Sequence, residues 1–138
     1  EATIPRLNLA MVMMKQGEFS QAMPLVEHAH QNFVRSSTSY RQGITHLMIL
    51  ICSIGQDDWS DWDHHLSQSR LLLADTSYVD VDVALWATEA GDMAIKANHI
   101  DRARQAWDLA MDQWQGLDRP QEAEQIRGRL LEGRVPED

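Results

Sequence analysis

Apolar residues recur along this chain at intervals of three and four, the period of a helix covered on one side. Between residues 19 and 34 the stripe is Phe19, Ala22, Met23, Val26, Ala29, His30 and Phe33. The stretch before it differs in kind. Ile4, Leu7, Leu9, Ala10, Met11, Val12, Met13 and Met14 are apolar around nearly the whole circumference. A helix of that kind needs cover on more than one side. Gln16-Gly17-Glu18 separates the two segments, and Gly17 is suited to the left-handed conformation that ends a helix.

The same pattern then returns. Residues 39 to 54 predict a second apolar helix through Ile44, Leu47, Met48, Ile51 and Ile54, with Gly55 at its end. Residues 58 to 74 predict its amphipathic partner, with Trp59, Trp62, Leu66, Ser69 and Leu73 on one side. Residues 79 to 97 carry Val83, Trp86, Ala87, Ala90, Ala94 and Ala97, and Asn98 stands where glycine would end the helix. Asn is the second choice at that position. Residues 100 to 115 follow with Ile100, Ala103, Trp107, Ala110, Met111 and Trp114. A seventh helix is expected over 119 to 132, capped by Asp118, with Pro120 in its first turn and Ala123, Ile126, Leu130 and Leu131 as its apolar positions. Its remaining surface is charged, through Glu122, Glu124, Arg127, Arg129 and Glu132, as the terminal element of a repeat array requires. The fold class is therefore all-α. One domain over 1–138 is expected, with hairpins at about 4–36, 39–75 and 79–116 and a capping helix at about 119–132.

Aligning the second helices of the hairpins brings Ala22, Trp62 and Ala103 into register, 40 and 41 residues apart. The segment Gly17-Glu18-Phe19-Ser20-Gln21-Ala22-Met23-Pro24-Leu25-Val26-Glu27-His28-Ala29 resembles the tetratricopeptide repeat: a small-residue turn, an aromatic, then alanine and an apolar stripe. Asn98-His99-Ile100-Asp101-Arg102-Ala103-Arg104-Gln105-Ala106-Trp107-Asp108-Leu109-Ala110 is similar. Ala22, Ala29, Ala103 and Ala110 would let paired helices approach closely. The middle copy departs: Gly55-Gln56-Asp57-Asp58-Trp59-Ser60-Asp61-Trp62 has two extra turn residues, and Trp62 replaces alanine. The period is longer than the family's usual one of about 34 residues. It is closer to variants found in large bacterial kinases, ATPases and transcription regulators. The resemblance implies a right-handed superhelix of three antiparallel hairpins with a capping helix, acting as a scaffold. Armadillo or HEAT-type helical repeats share the period and are the alternative.

Charge narrows the class of partner. The chain has 138 residues and a net charge of −9, with 12 basic and 21 acidic side chains. Its only lysines are Lys15 and Lys96, and its arginines are dispersed. Binding a phosphate backbone requires clustered cations, so nucleic acid and anionic membrane are unsuited and a basic protein or peptide is favoured. The acidic residues concentrate at Asp57, Asp58, Asp61, Asp63, Asp75, Asp80 and Asp82. Some of these sit where a helix start stabilises a carboxylate. Together they would also attract a basic segment. Cys52 lies in the apolar run Leu47–Cys52, the setting of a buried, unreactive thiol in a reducing compartment. No signal peptide or span of about 18 apolar residues is visible. A cytoplasmic location is expected, as part of a longer protein.

Little in the sequence points to catalysis. No nucleophile elbow, phosphate-binding glycine loop, paired metal cysteines or dinucleotide fingerprint is present. Asp61 and His65, and likewise His28 and Asn32, are four apart on their helices, but the helical zinc signature His-Glu-x-x-His is absent. Asp61, Asp63, His64 and His65 read as a solvated helix face. No catalytic residue, metal site or cofactor is expected, and the chain is read as a non-enzyme.

The resemblance places a binding groove along the first helix of each hairpin. Its candidates are Asn8, Met11 and Lys15, then Arg41, Thr45 and Met48, then Asp82, Trp86 and Glu89. Asp57, Asp58, Asp61 and Trp62 join them from the acidic turn. Trp59, Trp62, Trp86, Trp107 and Trp114 sit mostly at stripe positions and are expected to pack in the core, with Trp59 or Trp62 the candidate for an exposed anchor. The carboxylate-gripping branch of the family needs several Lys, Arg and Asn side chains, and only Lys15 and Asn8 match, so chaperone tails are not the expected ligand. The expected function is a protein- or peptide-binding scaffold module of a bacterial signalling or regulatory protein. The rival readings are a small-molecule sensor gating an attached effector, and self-association as a homodimer through Ile4, Leu7 and Met11 at an exposed repeat end.

Overall fold

The computed structural model describes residues 2–136, so Glu137 and Asp138 of the polar C-terminal stretch lie outside the described residues. The described chain is all-helical. Seven helices follow one another: α1 (Thr3–Lys15), α2 (Phe19–Arg35), α3 (Ser39–Gly55), α4 (Trp62–Thr76), α5 (Val81–Lys96), α6 (Ile100–Gly116) and α7 (Pro120–Glu132). None among the described residues is long and apolar enough to cross a membrane.

The helices end in one repeated way. Each of the six connections carries a single residue with positive φ: Gly17, Ser37, Asp57, Ser77, Asn98 and Asp118. In each, that residue's N–H donates to the carbonyl three back, and the next N–H donates to the carbonyl five back. Gly17 thus reaches Met14 and Glu18 reaches Met13, while Asn98 reaches Ile95 and His99 reaches Ala94. This is the Schellman arrangement, which satisfies the orphan carbonyls of a helix end. The positive-φ residues are spaced by 20 or 21 throughout.

One expectation about helix ends is corrected by this pattern. Gly55 is the last residue of α3, as expected, and the left-handed turn follows at Asp57. A Cβ at Gly55 would overlap the Phe19 ring. Asp118 does not cap α7. It takes the left-handed position itself, with φ 56°, and Arg119 is the residue before the helix.

The chain forms two compact units, Glu1–Tyr78 and Val79–Asp138. In the first, α1 packs on α2, α2 on α3 and α3 on α4. Its core runs through Ala10, Ala22, Val26, Leu47, Met48, Ile51 and Trp62. Lying between two neighbours, α3 is buried continuously from Thr45 to Cys52. Burial pushes the Cys52 thiol up to about 12, with Glu27 adding to the effect, as suits an inert core thiol. Trp62 is 1% exposed, and Trp59 stacks on it with ring centroids 5.7 Å apart. The large residue in the alanine position is therefore core in this structure, not an exposed anchor.

In the second unit α5 packs on α6 and α6 on α7. Ala87, Ala90, Ala94, Ala103, Ala106 and Ala110 are wholly buried. Small residues bring the helices close enough that a Cβ at Gly91 would overlap the Trp107 indole. Asp92, one residue on, accepts from Trp107 Nε1–H at 3.0 Å and from Arg129 Nε and Nη2 at 2.9 and 3.2 Å. Arg129, read from the sequence as part of the charged surface of α7, instead turns inward, 14% exposed. One carboxylate thus joins α5, α6 and α7.

Candidate functional site

Three helices of the first unit bring histidines together. α3 carries His46, which is buried at 8% exposure because α3 is covered by both neighbours. α2 supplies half-buried His30, and α4 supplies exposed His64 and half-buried His65. The His30 and His46 rings meet edge to face, 4.3 Å between centroids. His46 lies 5.7 Å from His64 and 5.3 Å from His65 by the same measure. Its Nδ1 is 3.0 Å from His65 Nδ1. A nitrogen atom from each of His46, His64 and His65 lies within 4.8 Å of the others.

The proton inventory follows from the partners. Two uncharged imidazoles can join Nδ1 to Nδ1 only if one donates and the other accepts, so the His46–His65 contact holds a single proton. His30 Nδ1 lies 2.7 Å from Thr45 Oγ1. That hydroxyl is also 3.0 and 3.1 Å from the Arg41 and Gln42 carbonyl oxygens. With its one proton on those carbonyls, Thr45 accepts from His30 Nδ1–H, and Nε2 keeps the lone pair.

Burial keeps these rings uncharged. It lowers His46 to about 4, with repulsion from His30, His65 and His64 adding to the effect. Burial likewise lowers His30. For His65, burial is the main cause and His64 adds to it, while the Asp61 carboxylate pulls the other way. Near neutral pH His30, His46 and His65 therefore present lone pairs, not positive charge.

The acidic turn lies at the start of α4. Asp57 accepts from Trp59 Nε1–H at 3.1 Å. Asp58 accepts from the Ser60 hydroxyl at 2.6 Å and its N–H at 3.1 Å. These bonds hold the Asp58 carboxyl below its usual range. Asp57, Asp58, Asp61 and Asp63 are all exposed, so their charge faces solvent. At the start of α5, Asp80 accepts from the N–H groups of Asp82 and Val83 and acts as a helix cap.

The groove candidates divide by burial. Asn8, Lys15, Asp82 and Glu89 are exposed, and Met11 and Arg41 are half-buried. Arg41 is held over the Phe33 and Tyr40 rings, 5.6 and 5.5 Å from their centroids. Thr45 and Met48 have no exposed surface, and Trp86 is 7% exposed. These three, with Trp62 of α4, are buried and do not offer an open groove face. Of the end residues considered for self-association, Leu7 is buried and Met11 half-buried. The exposed apolar positions of α1 are Ile4, Leu9 and Val12.

Sequence reasoning missed His30 and His46 as members of a cluster, and it placed His64 and His65 on a solvated face. Its four histidines come from three helices and share no local spacing. The signal that was present is modest: His30 and His46 both fall among apolar residues. Comparison with models of protein families, with curated proteins and with solved structures finds no match for the chain.

Proposed function

We propose that this chain is a helical-repeat interaction module, similar to the tetratricopeptide type, that holds a protein or peptide partner. The observation that carries the reading is the recurrence of one helix ending in six successive connections at 20- or 21-residue intervals. A unit of two helices joined and followed by the same turn is what stacked hairpins require. A right-handed superhelix of three hairpins, closed by α7, is the architecture this period supports. A repeat array works by displaying surface, so the function assigned is recognition, not turnover.

The exposed carboxylates of Asp57, Asp58, Asp61 and Asp63 supply the chemistry of recognition. They favour a partner segment rich in Lys and Arg, and they steer its approach. Two of them are fixed by local hydrogen bonds, which lowers the ordering cost of presenting their charge.

Fluorescence anisotropy tests the reading. A labelled Lys/Arg-rich peptide is expected to bind the full chain, and an acidic peptide of equal length is not. Changing the four aspartates to Asn is expected to weaken binding roughly tenfold or more, since most of the local field is removed. Equal binding of both peptides, or an unchanged affinity in the variant, would contradict an acidic recognition face.

A further inference from the structure

We infer that His46, His64 and His65 form a binding site for one borderline divalent transition-metal ion of the zinc class. The inference rests on where three helices place imidazole nitrogens, and it is independent of the recognition reading above.

The first support is spacing. Two nitrogens bonded to one zinc at about 2.0–2.1 Å stand about 3.3 Å apart in a tetrahedral site. His46 Nδ1 and His65 Nδ1 are already 3.0 Å apart. The single proton between them occupies the place the ion would take. Binding shifts that proton to the Nε2 of the ring that carries it, the other neutral tautomer, and leaves both Nδ1 lone pairs for the cation. His64 is the third ligand, with its nitrogen inside 4.8 Å of the other two. Adjacent residues on a helix diverge by about 100°. His64 and His65 can share a ligand only because His46 faces them both from α3.

The second support is the gradient of exposure. His46 is buried, His65 half-buried and His64 exposed. The site therefore has a fixed floor, and solvent reaches it from the His64 side. Only the exposed side chain must move to close on the ion. A water molecule would fill the fourth position, as in three-histidine zinc sites.

The third support is the surroundings. His30 packs edge-on against His46 and is itself held by Thr45, which limits rotation of the buried ring. The Asp61 carboxylate acts on His65 and adds negative charge beside the site. An all-imidazole set suits zinc, nickel or copper. It does not suit magnesium or calcium, which take oxygen ligands.

Isothermal titration of the full chain with zinc chloride at about pH 7.5, about one unit above the ordinary imidazole value, tests the site. The expected result is one zinc per chain, with no heat from magnesium chloride. His64→Ala changes an exposed helix position, so it leaves folding intact. It is expected to weaken zinc binding at least tenfold, on the scale of ligand-sphere losses. His28→Ala removes an exposed histidine outside the cluster and is expected to change nothing. Cobalt in place of zinc should give the visible absorption of a low-coordinate nitrogen site in the wild type and lose it in His64→Ala. The inference is overturned if zinc does not bind stoichiometrically, if His28→Ala weakens binding as much as His64→Ala, or if magnesium binds equally well. In any of those cases the cluster is a packed group of neutral imidazoles without an ion.

Discussion

Changing Asp92 to alanine is expected to destabilise the unit of α5, α6 and α7 by about 3–5 kcal/mol, the range for breaking a buried ion pair from one side. The carboxylate is 15% exposed and its partner Arg129 14%, so water screens the pair little. It accepts three hydrogen bonds, two from the guanidinium and one from the Trp107 indole. Alanine leaves a cation and an N–H without acceptors in a largely enclosed place. Asp92→Asn keeps an oxygen for Trp107 but loses the charge, so its loss should be smaller. Urea unfolding gives the stability change. The melting temperature should fall by about 10–20 °C for a chain of this size, with faster amide exchange across α5–α7. The double change Asp92→Ala with Arg129→Met should cost less than the sum of the single changes, because it removes both charges together. A loss below about 1 kcal/mol would place the pair in the solvent-screened class.

Acid is the second strong perturbation expected. Burial lowers His46 from 6.5 to about 4, and it lowers His30 and His65 in the same direction. Below about pH 6.5 the unfolded chain therefore binds more protons than the folded one, and stability falls as pH falls. It is complete above the ordinary histidine value and declines down to about 4, where folded His46 begins to take up its proton. At 1.36 kcal/mol per unit, His46 sets a loss of about 2–3 kcal/mol, slightly discounted for solvent contact at the open side of the cluster. The lowered carboxyls of Asp58 and Glu122 contribute in a different window, as pH falls below their ordinary values of 3.8 and 4.5. Urea midpoints measured with a chelator present at several pH values between 7.5 and 4 should show the decline in the wild type, within the range where histidines titrate. His46→Gln should flatten it. A wild-type midpoint that does not move across that range would show the rings to be solvated.

The helices were legible because their signal is local. Ala22, Ala29, Ala103 and Ala110 repeat at helical spacing and are all buried. Gly17 and Asn98 are residue types suited to a left-handed turn, and both adopt one. Ser37, Asp57, Ser77 and Asp118 adopt the same turn without glycine, so the sequence concealed four of the six endings. Gly55 marked the last residue of α3 correctly, and its lack of a side chain makes room for the Phe19 ring. Trp62 was legible as a departure from the alanine pattern, but not its full burial with Trp59 stacked on it. The histidine cluster and the Asp92–Arg129 pair were not legible. The His46–His65 and Asp92–Arg129 contacts join residues 19 and 37 apart and form only when helices pack. Buried Thr45, Met48 and Trp86 show the same limit. Helical periodicity identifies a first helix, but not how much of its circumference its neighbours cover.

Amide chemical-shift mapping of the isotopically labelled full chain, titrated with a Lys/Arg-rich peptide, tests the recognition reading most directly. The expected result is a saturable set of shifts gathered at Asp57, Asp58, Asp61 and Asp63, extending to exposed helix positions such as Asn8 and Lys15 or Asp82 and Glu89. Buried Met48 and Trp62 should respond only weakly. Shifts scattered over the whole surface without saturation, or none at millimolar peptide, where even weak specific complexes form, would contradict it.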